Sequence, residues 1–327
     1  MPADGAEASV GAEASVGASA RAIEARSLFI SLWANLFMAV AGIAAAWLSH
    51  SDAVLIDGLY SAVNFVSAIV ATRVGAAIAR RPDPSRPFGY DADEALYVTF
   101  RSMVLAGILC FAALTAATKI ITYLTEGEAP ELVFGPIVIY GAAMVAICLS
   151  LAWVHHRAWV RTGRRSEILR TESRAALVDG AISAGTAVAL FLVQFLHGTA
   201  LAPIVPIADA LVVLVLVALI GPQPVRLFLA ALREVAGASA PRHHIETADG
   251  IARPLCAGAG LALRDLAVTK LGRGIFVVAY ADPQRPVTGA EIDSLNARLE
   301  AACRTAFGSA RSEIVVTAVP RHGAGAP

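Results

Sequence analysis

Charge is what this sequence has least of. Only 16% of its 327 residues are Asp, Glu, Lys or Arg, whereas 57% are apolar and the mean hydropathy is +0.65. Soluble domains carry about 25% charged residues, so an ordinary soluble enzyme and a disordered chain are both excluded. Neither sign prevails: 26 basic residues face 26 acidic ones. No global charge draws the chain to nucleic acid, and no nucleic-acid partner is expected. The four cysteines, Cys110, Cys148, Cys256 and Cys303, lie far apart without a CxxC pair. That excludes a disulfide framework and a structural zinc cluster. HExxH, a phosphate-cradling glycine loop and a nucleophile–base pair are absent as well, so neither an enzyme nor a cofactor is expected.

What the sequence has is apolar length. A helix needs about 20 mostly apolar residues to cross a bilayer. Runs of that kind occupy 28–48, 53–71, 96–117, 132–154 and 175–196, and a shorter one occupies 206–220. The expected fold is an α-helical membrane protein: six transmembrane helices over 26–221, a connector over 222–240, and a small cytoplasmic α+β domain over 241–320. In that domain an amphipathic helix over 242–256 precedes two strands, 263–270 and 274–281, joined by the tight turn Leu271-Gly272-Arg273-Gly274. A helix over 288–307 starts with the capping box Thr288–Glu291, and a last strand covers 314–319. The order α-β-β-α-β implies helices on one face of a sheet.

Residues 1–25 contain a direct repeat of GAEASV and few large apolar groups, so they read as a disordered tail. Residues 321–327 read as a second tail. Arginines populate the N-terminal tail (Arg21, Arg26), the link between spans two and three (Arg73, Arg80, Arg81, Arg86) and the link between spans four and five (Arg157 to Arg174). The opposite loops, 49–52, 125–131 and 197–205, contain no Lys or Arg. The positive-inside rule then puts both termini in the cytoplasm. The implied home is a bacterial inner (plasma) membrane, with membrane lipid as a constant partner.

Ionisable groups inside spans cost about 2.5–3.5 kcal/mol each at mid-helix, so they pair or line a functional cavity. On span two, Asp57, Tyr60, Ser61 and Asn64 recur at i, i+3, i+4 and i+7, one helical face. On span five, Glu172, Asp179 and Ser183 share a face. Two carboxylates within the membrane, Asp57 and Asp179, call for a cation or protons. The competing reading gives one of them to Arg101 of span three, as a neutral structural plug. Asp209 reads as a cap on its own short helix, Asn35 as glue between helices, and Lys119 as a snorkelling residue. The pairs His155-His156 and His243-His244 read as solvated surface residues, with zinc binding the alternative; His50 and His197 fall in outer loops.

The plan resembles that of the cation diffusion facilitator (cation efflux) family, from about residue 25 to 320. The segment SDAVLIDGLYSAVN (51–64) resembles the family's span-two metal signature. RPFGYDADEAL (86–96) resembles its approach to span three, with Phe88, Gly89, Glu94 and Leu96 matching, and TESRAALVDGAISAG (171–185) resembles its span-five signature. The resemblance puts the four family ligand positions on Tyr60, Asn64, Ala175 and Asp179, of which only Asp179 is unchanged. Tyr90 stands where the family's histidine leads into span three, Arg86 occupies another ligand slot of that link, and Thr317 and Val319 replace ligands of the last strand. Asp57 substitutes one turn earlier, giving the expected metal set Asp57, Tyr60, Asn64 and Asp179. This describes a divergent branch with an altered site.

The resemblance implies a secondary-active transporter that exports a divalent metal cation from the cytoplasm in exchange for protons. Spans one, two, four and five would rock against three and six, and the soluble domain would make a homodimer. An all-oxygen donor set suits Mn²⁺ or Mg²⁺ better than Zn²⁺. Two alternatives stand beside it: a non-transporting subunit or sensor with Arg101 neutralising an aspartate, and a transporter of monovalent or organic cargo.

Overall fold

A computed structural model describes the backbone of residues 4–78, 80, 82–87, 89–127, 132–164, 166–196 and 199–319, and the side chains from Ala22 onward, Glu167 excepted. Arg81, Phe88, Arg165, His197 and the tail 321–327 lie outside it. Among the described residues, six helices are long and apolar enough to cross a membrane: Ala22–Ser49, Asp52–Ile78, Ala92–Glu126, Phe134–Arg161, Ile168–Leu196 and Ala202–Ile220. The chain is a multi-pass integral membrane protein. The first span is part of α1 (Asp4–Ser49), so helix runs through most of the segment read as a disordered tail. Its Ala and Glu content favours helix despite the lack of apolar bulk. The next spans are α2 (Asp52–Ile78), α3 (Ala92–Glu126), α4 (Phe134–Arg161) and α5 (Glu167–Val193). A short 3₁₀ segment at Ala202–Ile207, set by Pro203 and Pro206, leads into α6 (Ala208–Ile220). Helices outrun the apolar runs because their ends continue into polar surroundings, where hydropathy no longer marks them.

Two compact units emerge, one from residues up to Ile69 with Val104–Gln223, the other from Val70–Met103 with the chain from Pro224 on. In the first, small residues bring helices together. A Cβ on Gly42 of α1 would lie 2.6 Å from the Cα of Gly58 on α2, and one on Gly180 of α5 would lie 2.9 Å from the Cβ of Cys148 on α4. Without a hydrophobic drive between helices in lipid, such close backbone approach supplies the packing. Outward, Trp47, Phe111, Leu124 and Ile139 are exposed, as an apolar solvent permits.

The N-terminal end of α2 is tied to α3 and α6 by charge. Asp209 does not cap its own helix: its carboxylate accepts from Ser51 Oγ at 2.6 Å, from the Asp52 amide at 2.9 Å and from the Ala53 amide at 3.3 Å, capping α2. Lys119 is no free snorkeller; its Nζ lies 2.6 Å from Asp52 Oδ2 and 3.8 Å from Asp209 Oδ2. On α4, His155 is buried rather than solvated, and its Nδ1 is 2.8 Å from Ser27 Oγ. It faces α1, while the neighbouring His156 ring lies against Trp159. Asn35 donates to the Ser31 carbonyl of its own helix at 2.9 Å instead of bridging helices.

In the second unit, α7 (Pro222–Val235) fills most of the expected connector. Beyond it stand α8 (Arg242–Gly258), β1 (Ala262–Leu271), β2 (Gly274–Asp282), α9 (Gly289–Phe307) and β3 (Ala310–Val316). β1 pairs antiparallel with β2 through the expected turn, where Gly272 has φ +58°, and β3 pairs parallel with β2. Alternation along β2 sends Ile275, Val277, Ala279 and Ala281 into a core with Ala248, Ala252, Cys256, Leu295, Leu299 and Cys303. The reciprocal capping box of Thr288 and Glu291 opens α9. The last strand is displaced toward its N-terminus from the expected 314–319. The Thr317 hydroxyl accepts from the Val319 amide at 3.2 Å, a local turn that ends the strand.

Candidate cation site

The i, i+3, i+4, i+7 stripe of α2 faces a cavity of about 430 Å³ in the first unit, enclosed by α1, α2, α4, α5 and α6. Asp57, Tyr60, Ser61 and Asn64 reach it from α2, and Asp179 and Ser183 from α5. All four residues expected as metal ligands, Asp57, Tyr60, Asn64 and Asp179, therefore line one space, although α2 and α5 are far apart in sequence. Glu172 is outside the lining, and the Ala175 position contributes no donor. Apolar Met38, Ile137, Met144, Leu216 and Leu219 complete much of the wall.

The two carboxylates sit differently. Asp57 is partly buried and accepts from two hydroxyls, Tyr140 Oη to Oδ2 at 2.8 Å and Ser183 Oγ at 3.2 and 3.3 Å from its two oxygens. Asp179 is exposed to the cavity. Tyr140 and Cys148, both on α4, line the same space, and sequence reading did not single them out for it. Their apolar run, 132–154, carries no acidic or basic group, so nothing in the sequence distinguished a tyrosine facing the cavity from one facing lipid.

No Lys or Arg is found among the described lining residues. Arg101 is exposed on α3. The hydrogen bonds described for the Asp57 carboxylate come from the neutral hydroxyls of Tyr140 and Ser183. Among the described residues, no cluster of three or more His, Cys, Asp or Glu is arranged to hold a metal. A cation in this cavity would rely on two carboxylates plus amide and hydroxyl oxygens, a donor set for a hard ion.

Where the family resemblance puts metal ligands in the link between spans two and three, a hydrogen-bonded turn stands instead. Tyr90 Oη donates to Asp83 Oδ2 at 2.6 Å, and Ser85 donates from its hydroxyl at 2.5 Å and its amide at 2.8 Å to Oδ1. The hydroxyls of Ser85 and Tyr90 hold the Asp83 carboxyl down at about 2. Arg86 pairs with Asp93 at 3.0 Å. A tyrosine and an arginine here brace the link through hydrogen bonds and an ion pair.

Six membrane-crossing helices, five of which line a carboxylate-bearing cavity, with a small α+β domain attached, are the build of a membrane transporter for cations. Residues 28–235 match the family model of the cation efflux transmembrane domain, and the chain belongs to the cation efflux, or cation diffusion facilitator, family. Its members are cation transporters rather than enzymes. No curated protein matches the chain.

Proposed function

We propose that this protein exports a divalent metal cation in exchange for protons, using the cavity of Asp57, Tyr60, Asn64 and Asp179. The observation that carries the reading is the convergence of two carboxylates, Asp57 and Asp179, and the amides of Asn35, Asn64 and Gln223 on one cavity whose described lining has no basic residue. A divalent ion leaving water needs two negative charges, and Asp57 and Asp179 supply them. Binding requires deprotonated carboxylates, so each cation bound displaces protons, and the same groups reload with protons when the cation leaves. The oxygen donors favour Mn²⁺ or Mg²⁺ over Zn²⁺. Arginine-rich links and both termini face the cytoplasm in this scheme, by the asymmetry of the loops. The β2 face opposite the helices carries Phe276, Val278 and Tyr280, all half-buried. It is the surface on which two copies pair as a homodimer.

The test is uptake into proteoliposomes with a panel of Mn²⁺, Mg²⁺, Zn²⁺ and Na⁺ under an imposed pH gradient. Mn²⁺ or Mg²⁺ flux that follows the gradient, with coupled proton movement, is expected. Flux of Na⁺ alone, or metal flux indifferent to the gradient, overturns the reading.

A further inference from the structure

Asp57 is held by side chains from two other helices. Tyr140 of α4 donates to Oδ2 at 2.8 Å, and Ser183 of α5 lies at hydrogen-bond distance from both oxygens. Space for the Tyr140 hydroxyl is made by a glycine on yet another helix: a Cβ on Gly42 of α1 would lie 2.8 Å from Tyr140 Oη. Four helices thus contribute to the orientation of one carboxylate. A carboxylate has about four lone-pair sites. Two hydroxyl donors leave others directed into the cavity, where Asp179 and Asn64 also lie.

We propose that Tyr140 is the positioning residue of the cation site: its hydroxyl, admitted by Gly42, fixes the Asp57 carboxylate so that a free lone pair points at the cavity. This rests on the reading of Asp57 as a ligand in the preceding section. Tyr140 need not touch the ion; it acts through Asp57. Hydrogen bonds that orient ligating carboxylates commonly govern metal affinity by about 10–100-fold. Ser183 acts in the same way with longer bonds, and its share is smaller. Tyr140 is 7% exposed, and Tyr140→Phe removes only the hydroxyl, so packing against the core survives.

The experiment measures Mn²⁺ transport by the full-length protein in proteoliposomes, with thermal stability recorded beside it. Tyr140→Phe is expected to raise KM about tenfold while the rate at saturating Mn²⁺ stays within about twofold of the parent. Ser183→Ala is expected to raise KM by a smaller factor, and it carries the test if Tyr140→Phe does not fold. An unchanged KM in the folded variant, or a fall in maximal rate and stability with no change in KM, overturns the positioning role. A parallel Asp57→Asn arm separates this from the site itself. If Asp57→Asn transports Mn²⁺ at the parental rate and KM, the ligand reading fails. If it does not, while Tyr140→Phe behaves as the parent, only the positioning role fails.

Discussion

Asp209 of α6 and Ser51, just before α2, are 158 residues apart, yet the Ser51 hydroxyl donates to Asp209 Oδ1 at 2.6 Å. The same carboxylate takes the amides of Asp52 and Ala53. A helix leaves its first amides without internal partners, and α2 has them satisfied by a side chain from the last span. This joint holds the N-terminal end of the helix that carries Asp57.

Asp209→Ala removes that cap and leaves buried donors without an acceptor. The expected loss is about 1–3 kcal/mol, read as a lowered Tm in detergent. Asp209→Asn keeps one acceptor oxygen and should lose less. Equal Tm values for parent and Asp209→Ala would contradict the capping role.

Asp57→Asn and Asp179→Asn should each abolish metal-dependent transport while the protein remains folded and inserted. Asn retains shape and one oxygen but not the charge that a divalent ion needs. Tm is expected to stay level or rise slightly, because placing a carboxylate in the membrane is costly. Were an arginine the partner of either carboxylate, the variant would instead lose about 3–5 kcal/mol by stranding that charge. Transport rates and melting curves measured side by side decide between these outcomes.

Gly42→Ala introduces a methyl group against the Gly58 backbone and the Tyr140 hydroxyl. Overpacking of this kind costs about 1–3 kcal/mol. A drop in Tm is expected. Gly107→Ala, at a site with nothing within 4 Å of the added carbon, should leave Tm unchanged.

His244 of α8 stacks on His243 with ring centroids 4.0 Å apart and contacts Phe307 at 5.6 Å. Its Nδ1 is buried without a hydrogen-bond partner. Burial, with His243 and Lys270 nearby, pushes its pKa below the usual histidine value of 6.5. The unfolded chain therefore binds the proton more readily. Stability is complete above about pH 6.5 and declines as pH falls below it toward the lowered folded value. Thermal unfolding of the full chain between pH 8 and 5 should show this decline, and His244→Gln should reduce it.

The six spans and the α-β-β-α-β order could be read from the sequence because apolar length and period are local properties. So could the face shared by Asp57, Tyr60 and Asn64, since helical geometry alone puts i, i+3 and i+7 together. The Thr288–Glu291 box, contained within four residues, was equally legible. What lay beyond reach depended on contacts between helices distant in the chain. Tyr140 looks like any tyrosine in an apolar span until the gap at Gly42 and Gly58 brings its hydroxyl to Asp57. His155 looks like a surface histidine until α1 presents Ser27 to it. Asp209 begins a short helix and reads as its cap, yet it caps α2, and Lys119 finds Asp52 and Asp209 instead of lipid headgroups. Buried polar groups must be satisfied where water is excluded, and only the packed bundle decides which distant partner satisfies each one.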